Sequence, residues 1–297
     1  MARATRATAI NRQAGRGLAE HADEAAVGVF DSGIGGLTVF KEIARRYPAL
    51  DMIYLGDTAR VPYGTKSPET VVRYSFEAAH FLGKHGIELL VVACNTSSAL
   101  ALDALKRELP IPSIGVIRPG ARRAVGVTRN GSIGVIGTPA TIRSGAYARA
   151  IQEAAAQEHA VDSRGVVAVT SATCPLFVPL AEEGWTDNEV ARETARIYLE
   201  PVRREGIDTL VLGCTHYPIL RGAIGAVMGP AVTLVDSAEP VAEEVGERMR
   251  AHGRDPSLGQ GGRRFFVTDS WERFREVGAR FLGHPIERLE QVDIVGE

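Results

Sequence analysis

The chain has 297 residues, of which 45% are hydrophobic, enough to bury a large core and to form two domains. With a net charge of −2 and a sequence pI of about 6.4, the overall charge lacks the basic excess typical of nucleic-acid-binding proteins, so no nucleic-acid partner is predicted. Every apolar run is shorter than the ~18 residues that a membrane-spanning helix needs, so no membrane partner is predicted.

Residues 1–26 contain four arginines but no continuous apolar segment, which argues against a secretory signal and predicts a disordered tail. The three cysteines are widely spaced and form no CxxC pair. We therefore expect a reducing compartment, in which the thiols serve chemistry or packing. A metal site is disfavoured, because the histidines are scattered and the cysteines lack close spacing.

The first predicted elements alternate between strands and helices. A strand at 27–30 ends in the turn Asp31–Gly36, whose glycines indicate a tight strand-to-helix turn rather than a nucleotide-binding loop. Further strands are predicted at 51–55, 89–93 and 114–117, and helices at 37–46, at 69–85 and before Leu109. This alternation is typical of a parallel sheet that helices cover on both faces.

The pattern then restarts in the second half of the chain. Residues 133–138 repeat the apolar pattern of 27–32, and residues 209–215 repeat that of 89–95. We therefore predict an α/β fold with two similar parallel-sheet domains, related by pseudo-two-fold symmetry, and an active site between them. The predicted bounds are 27–117 plus 235–297 for the first domain and 118–234 for the second, with Gly259–Gly262 as a flexible loop.

Two cysteines occupy matching positions at the carboxyl ends of apolar strands, Cys94 in the first half and Cys214 in the second. Ligands of open α/β sheets bind beyond these strand ends, so both thiols are predicted to face one pocket. A substrate held between two acid/base groups can lose a proton on one side and gain one on the other, which inverts a stereocentre. Cys174 lies outside the matched pair and is interpreted as a packing residue.

Each thiol needs help, because the thiolate is the reactive form of cysteine and a free thiol ionises above neutral pH. Asp31 could accept the proton of Cys94, and His216 follows Cys214 by two residues. Gly137 stands in the second half where Asp31 stands in the first, so the two thiols cannot be activated identically. Four nearby polar side chains are either helix caps or ligands of a substrate carboxylate: Asn95, Thr96, Thr138 and Thr215.

Together these motifs are similar to those of the glutamate racemase family, within the cofactor-independent aspartate/glutamate racemase superfamily. The resemblance extends from about Val27 to at least Ala242. The segments that carry it are FDSGIGGL (30–37), YLGD (54–57), PYG (62–64), CNT (94–96), IGT (136–138), CPLFVP (174–179) and GCTHYP (213–218).

The resemblance implies interconversion of L- and D-glutamate without pyridoxal phosphate or another cofactor, supplying D-glutamate for peptidoglycan in a bacterial cytoplasm. It implies that Cys94 is the base for D-glutamate and Cys214 the base for L-glutamate. Asp31 matches the auxiliary acid beside Cys94, and Glu182 and His216 match those near Cys214. Because Glu183 follows Glu182, either of these two glutamates could be the one intended, and Asp57 matches a further acid.

The resemblance also implies a set of positions that hold the substrate's amino and carboxylate groups. These match Asp31, Ser32, Tyr63, Gly64, Asn95, Thr96, Thr138, Thr141, Thr215 and His216. Family members commonly form homodimers, and some have a second role in binding a protein partner. Two other functions stay open: a racemase of aspartate or another acidic amino acid, and a non-catalytic two-lobed protein that closes on an amino acid.

Overall fold

The structure is a computed structural model that describes residues 26–158 and 167–296. Apart from Ala26, the tail predicted to be disordered lies outside the described residues. The described residues form ten strands and twelve α-helices, with three short 3₁₀ turns between them.

The first part of the chain alternates strands with helices, as expected. Its strands are β1 (Ala26–Asp31), β2 (Met52–Gly56), β3 (Ile87–Val92) and β4 (Ser113–Gly115). Its helices are α1 (Leu37–Arg46), α2 (Pro68–Gly83), α3 (Asn95–Leu100), α4 (Leu102–Glu108) and α5 (Ile117–Val127), with 3₁₀ turns at Thr58–Arg60 and Tyr63–Thr65.

The rest of the chain repeats this alternation. Its strands are β5 (Ser132–Gly137), β6 (Ala168–Thr173), β7 (Thr209–Gly213), β8 (Thr233–Val235), β9 (Arg263–Val267) and β10 (Leu289–Gln291). The helices are α6 (Pro139–Arg143), α7 (Ala146–Glu158), α8 (Phe177–Glu182), α9 (Glu189–Arg204), α10 (Arg221–Met228), α11 (Ala238–Ala251) and α12 (Trp271–Leu282), with a 3₁₀ turn at Tyr217–Leu220.

The strands form two sheets in which every pairing is parallel. The first sheet has the order β10-β9-β2-β1-β3-β4, and the second has the order β6-β5-β7-β8. The run β2-β1-β3-β4 therefore has the same order as β6-β5-β7-β8. This repeat confirms the predicted fold class of two similar parallel-sheet α/β halves. After β8 the chain returns to the first sheet with β9 and β10, while the exact domain bounds stay a prediction.

Among the predicted elements that differ from the structure, two lie next to the end of β3. The single helix expected before Leu109 is divided at Ala101 into α3 and α4. The strand expected at 114–117 ends at Gly115, because the N–H of Val116 donates to Ser98 Oγ instead of to a neighbouring strand. Ser98 Oγ in turn donates to the carbonyl of Val92 at 2.8 Å, which anchors α3 to the end of β3.

The core explains why the central strands are apolar throughout. Leu89 and Val91 of β3 belong to one buried cluster, whereas Leu90 and Val92 belong to a second cluster on the other face of the sheet. The first cluster continues through α1, α5 and α11 to Leu212 and its neighbours in β7, so apolar packing joins the two sheets. Among the described helices, none combines the length and hydropathy needed to cross a lipid bilayer.

Candidate active site

The four strands at the centres of the two sheets end in predicted site residues. Asp31 ends β1, Cys94 follows β3, Thr138 follows β5 and Cys214 follows β7. Parallel strands bring their carboxyl ends to one edge of a sheet, where polar groups can meet a ligand. The contacts that follow join these strand ends into one network.

The thiol of Cys94 is buried, with 5% of the residue exposed, and it caps α3. Its Sγ accepts from the N–H of Ser97 and donates to Ser32 Oγ, both at 3.5 Å. Burial and the charge of Asp31 raise the pKa of Cys94 to about 11. At neutral pH this residue is therefore a thiol, and its ionisation requires a nearby group that takes the proton.

Asp31 lies between the turns of the two halves. Its Oδ2 accepts from the N–H of Gly33 at 2.9 Å, and its Oδ1 accepts from Thr215 Oγ1 at 3.5 Å. Burial raises the pKa of Asp31, while the charge of His216 opposes that rise. A buried carboxyl with a raised pKa suits proton transfer, so its environment fits the predicted auxiliary role.

The thiol of Cys214 contacts an imidazole that is itself held by a carboxylate. The distance from Cys214 Sγ to His216 Nδ1 is 3.8 Å, and that from His216 Nε2 to Glu182 Oε1 is 3.0 Å. Burial lowers the pKa of His216, but its bonds with Cys214 and Glu182 outweigh burial and raise it to about 10. The imidazole is therefore protonated near neutrality, with its Nδ1 beside the sulfur of Cys214 and its Nε2 beside Glu182.

The structure distinguishes between the two adjacent glutamates. Glu182 is 23% exposed and bonds His216, whereas the 58% exposed Glu183 contacts Arg273 at 3.1 Å. Arg273 also donates to Glu182 Oε2 at 3.3 Å, and Arg280 donates to the Glu182 carbonyl at 2.8 Å. Of the two candidates, Glu182 is the residue placed beside the imidazole.

The glycine-rich turn after β1 lies directly against the Cys214 turn. A Cβ at Gly35 would lie 2.3 Å from Thr215 Oγ1 and 2.4 Å from His216 Nδ1, which is closer than any side chain permits. Thr38 Oγ1, one turn further on, donates to the carbonyl of Thr215 at 3.1 Å. Gly35 is thus required by close approach of two turns, which agrees with the prediction of a tight turn.

Three threonine hydroxyls meet where the two halves face each other. Thr96 Oγ1 lies 3.0 Å from Thr138 Oγ1 and 3.3 Å from Thr141 Oγ1, and the latter two are 3.0 Å apart. Gly64 adjoins this triangle, since a Cβ there would lie 2.7 Å from Thr138 Cβ. A cluster of hydroxyl donors from both halves can bind a carboxylate.

Other predicted site residues are engaged with protein groups. The hydroxyl of Tyr63 donates to Asp57 Oδ2, and Asp57 also accepts from Arg60 Nε at 2.7 Å and from Thr268 Oγ1 at 2.9 Å. Asp57 therefore holds the loop that carries Tyr63.

Cys174 is fully buried, which raises its pKa and suits the expected packing role.

Two contacts of the site have no counterpart in the sequence motifs. Asn95 Oδ1 accepts from the hydroxyl of Tyr147 at 2.7 Å, and Glu182 accepts from Arg273. Both donors come from helices far away in sequence, so only the folded arrangement reveals them.

A family model described as Asp/Glu/Hydantoin racemase matches residues 27–245. The chain belongs to this racemase family. A glutamate racemase of Geobacter metallireducens is 57% identical over 273 residues, covering 92% of this chain and 98% of the relative. This confirms both the resemblance predicted from the motifs and the prediction that the protein is an enzyme, a racemase.

Solved structures agree with this family. Glutamate racemase isoform RacE1 from Bacillus anthracis is 41% identical, with a TM-score of 0.83 over 91% of this chain and 98% of that one. The glutamate racemase from Francisella tularensis, solved in complex with D-glutamate, is 35% identical, with a TM-score of 0.83 over 92% of this chain and 99% of that one.

The close approach at Gly35 leads to a testable expectation. Gly35→Ala should displace Thr215 and His216, lower kcat/KM at least about tenfold, and cost about 1–3 kcal/mol of stability through overpacking. The matched control is Gly222→Ala in α10, where a Cβ would meet nothing within 4 Å and helix propensity improves. Racemisation assays and thermal melts of both variants test this, and equal rates would contradict it.

The pair Glu182 and Glu183 supplies its own matched control. We expect Glu182→Gln to lower kcat/KM about 10²-fold and Glu183→Gln to leave it nearly unchanged, because Glu182 bonds His216. Without that carboxylate the pKa of His216 should fall from about 10 towards its ordinary 6.5, as NMR of the imidazole would report. Equal effects of the two substitutions on kcat/KM would show that Glu182 has no special role in the reaction.

The same pKa predicts how stability depends on pH. The folded-state pKa of His216 is raised from 6.5 to about 10, so the protonated imidazole stabilises the fold fully below pH 6.5. That stabilisation is lost as pH rises through about 10. Urea unfolding of the parent and of Glu182→Gln should therefore differ most at the acidic end of this window and converge at its alkaline end.

Proposed function

We propose that this protein interconverts L- and D-glutamate by a cofactor-independent reaction in which Cys94 and Cys214 act as the two bases. The observation that carries the proposal is the placing of two buried thiols after the equivalent strands β3 and β7. Asp31 and Thr215 connect the two turns by a hydrogen bond. The glutamate racemase of Geobacter metallireducens, 57% identical to this chain, supports glutamate as the substrate.

In the proposed reaction of D-glutamate, the thiol of Cys94 first passes its proton to Asp31. The resulting thiolate takes the α-proton, and the electron pair of the broken C–H bond stays on the α-carbon and its carboxylate. The thiol of Cys214 then donates a proton to the opposite face, giving L-glutamate and a thiolate that His216 stabilises. Before the next D-glutamate reacts, Asp31 releases its proton to solvent and the thiolate of Cys214 takes one up, which restores the starting state. The reaction of L-glutamate follows the same steps in reverse order, beginning at Cys214 and ending at Cys94.

The substrate's charged groups would be held by polar groups of the turns that carry the two thiols and of the segments beside them. We assign its carboxylate to hydroxyl and amide donors, because an anion needs donors once it is desolvated. We assign its ammonium group to the hydrogen-bond acceptors beside Cys94. Donors and acceptors together are the residues matched to the family: Asp31, Ser32, Tyr63, Gly64, Asn95, Thr96, Thr138, Thr141, Thr215 and His216.

The cellular setting follows from the same proposal. D-Glutamate would serve peptidoglycan synthesis, and the reaction would take place in a bacterial cytoplasm, where both thiols stay reduced. We propose a homodimer as the working form and a reaction that needs no cofactor. A role as a non-catalytic binding protein is disfavoured, since the relatives are racemases.

Circular dichroism tests the proposed function directly. Purified protein without added cofactor should abolish the signal of either L- or D-glutamate, reaching the same racemic end point from both. Parallel incubations with L- and D-aspartate identify the alternative substrate. Loss of the aspartate signal with an unchanged glutamate signal would contradict glutamate as the substrate.

A further inference from the structure

Tyr147 touches residues that adjoin both catalytic cysteines. It is the second residue of α7 and is only 2% exposed. Its hydroxyl donates to Oδ1 of Asn95, which follows Cys94, at 2.7 Å. Its ring lies against Gly213, which precedes Cys214, so closely that a Cβ there would be 2.9 Å from the ring. One buried side chain therefore spans the two turns that carry the thiols.

A second hydroxyl completes this contact. Ser237 Oγ, just before α11, lies 3.3 Å from the hydroxyl of Tyr147. Since Tyr147 uses its single hydrogen towards Asn95, Ser237 is the donor in this pair. The space is tight, because a Cβ at Gly120 would lie 2.7 Å from Ser237 Oγ. The hydroxyl of Tyr147 is thus held from both sides, as a buried polar group requires.

The hydrogen bond from Tyr147 turns the amide oxygen of Asn95 towards the Tyr147 hydroxyl. When the amide oxygen accepts from Tyr147, the amide nitrogen is directed to the opposite side of the side chain. Its two N–H groups can then donate to a carboxylate, whereas the flipped amide would present an acceptor and repel one. Burial raises the pKa of Tyr147, so its hydroxyl keeps its hydrogen at neutral pH.

We propose that Tyr147 is a positioning residue that sets the orientation of the Asn95 amide and holds the Cys94 turn in register with the Cys214 turn. This inference rests on the proposed function, because it assigns Asn95 to the substrate carboxylate. Tyr147 acts through Asn95 and Gly213 and does not itself exchange a proton with the substrate.

Kinetics of Tyr147→Phe test the proposal, since this change removes only the hydroxyl. We expect kcat/KM for glutamate to fall about tenfold, mostly through KM, as for loss of one buried hydrogen bond. In an Asn95→Ala background the same change should cost less than about twofold, because the two side chains act as one unit. The control is Tyr198→Phe, whose hydroxyl accepts from the N–H of Leu176 outside this network and whose loss should leave kcat/KM unchanged.

The side-chain amide of Asn95 gives a readout that does not depend on activity. In ¹⁵N–¹H spectra, Tyr147→Phe should shift the Asn95 amide resonances, and Tyr198→Phe should not. An unshifted amide overturns the inference, as does a parental kcat/KM in Tyr147→Phe or an undiminished tenfold loss in the Asn95→Ala background. Absence of glutamate racemisation in the parent would instead refute the proposed function, and the amide spectra would still decide the role of Tyr147.

Discussion

Replacing either Cys94 or Cys214 by Ala should abolish racemisation of glutamate, because inversion needs a base on one face of the α-carbon and an acid on the other. Each remaining thiolate should still take the α-proton from one enantiomer. With N-hydroxyglutamate, that proton loss can be followed by breaking of the N–O bond and departure of hydroxide. Cys214→Ala should eliminate from the D enantiomer only, and Cys94→Ala from the L enantiomer only.

The third cysteine provides the matched control for this experiment. Cys174 is as buried as the other two, and its backbone carbonyl accepts a hydrogen bond from the hydroxyl of Tyr217 at 2.8 Å. Cys174→Ala should keep racemisation in both directions and cost about 1–2 kcal/mol of stability. Racemisation near the parental rate by either Cys94→Ala or Cys214→Ala would refute the two-base mechanism.

Asp31→Asn should lower kcat/KM by about 10²–10⁴-fold, the usual range for the loss of general acid–base assistance. The loss should be equal for the two enantiomers, because they have the same free energy and their kcat/KM values are thereby linked. Elimination from N-hydroxyglutamate is irreversible, so the kcat/KM values of its two enantiomers are not linked in this way. Asp31→Asn should therefore slow elimination from the D enantiomer, which uses Cys94 as the base, more than elimination from the L enantiomer.

Asp208 offers a buried aspartate for comparison. It accepts hydrogen bonds from Thr128 Oγ1 at 2.7 Å and from the N–H groups of Arg129 and Asn130 at 2.6 and 2.8 Å, at the amino end of β7. Asp208→Asn should therefore lower the melting temperature with little change in kcat/KM. If Asp31→Asn behaved in this same way, its carboxylate would have a structural role and no part in proton transfer.

Much of the fold could be predicted from the sequence because its signals are local. The helix at Leu37–Arg46 was predicted with the bounds that the structure shows, since an apolar stripe follows a glycine turn. The strands that precede the two cysteines are continuous apolar runs, which predict buried strands equally clearly. The repeated pattern also indicated the shared strand order of the two sheets, because each half buries its strands in the same way.

Long-range contacts could not be predicted in this way. The bond from Tyr147 to Asn95 joins residues 52 positions apart, and that from Arg273 to Glu182 joins residues 91 apart. No periodic pattern encodes which distant side chain fills a given space. The sequence could not decide between Glu182 and Glu183 for the same reason, because two adjacent glutamates differ only in the direction in which the fold points their side chains.

The strand order has a consequence for synthesis of the protein on the ribosome. β2 lies between β1 and β9, so Tyr54 and Leu55 pair with Phe265 and Phe266, which are translated more than two hundred residues later. Until then the buried strand β2 has an open edge, a feature that invites pairing with other chains. α12, which supplies Arg273 to Glu182, is also translated late. A nascent chain that stops before β9 should therefore depend on chaperones, with its active site still incomplete.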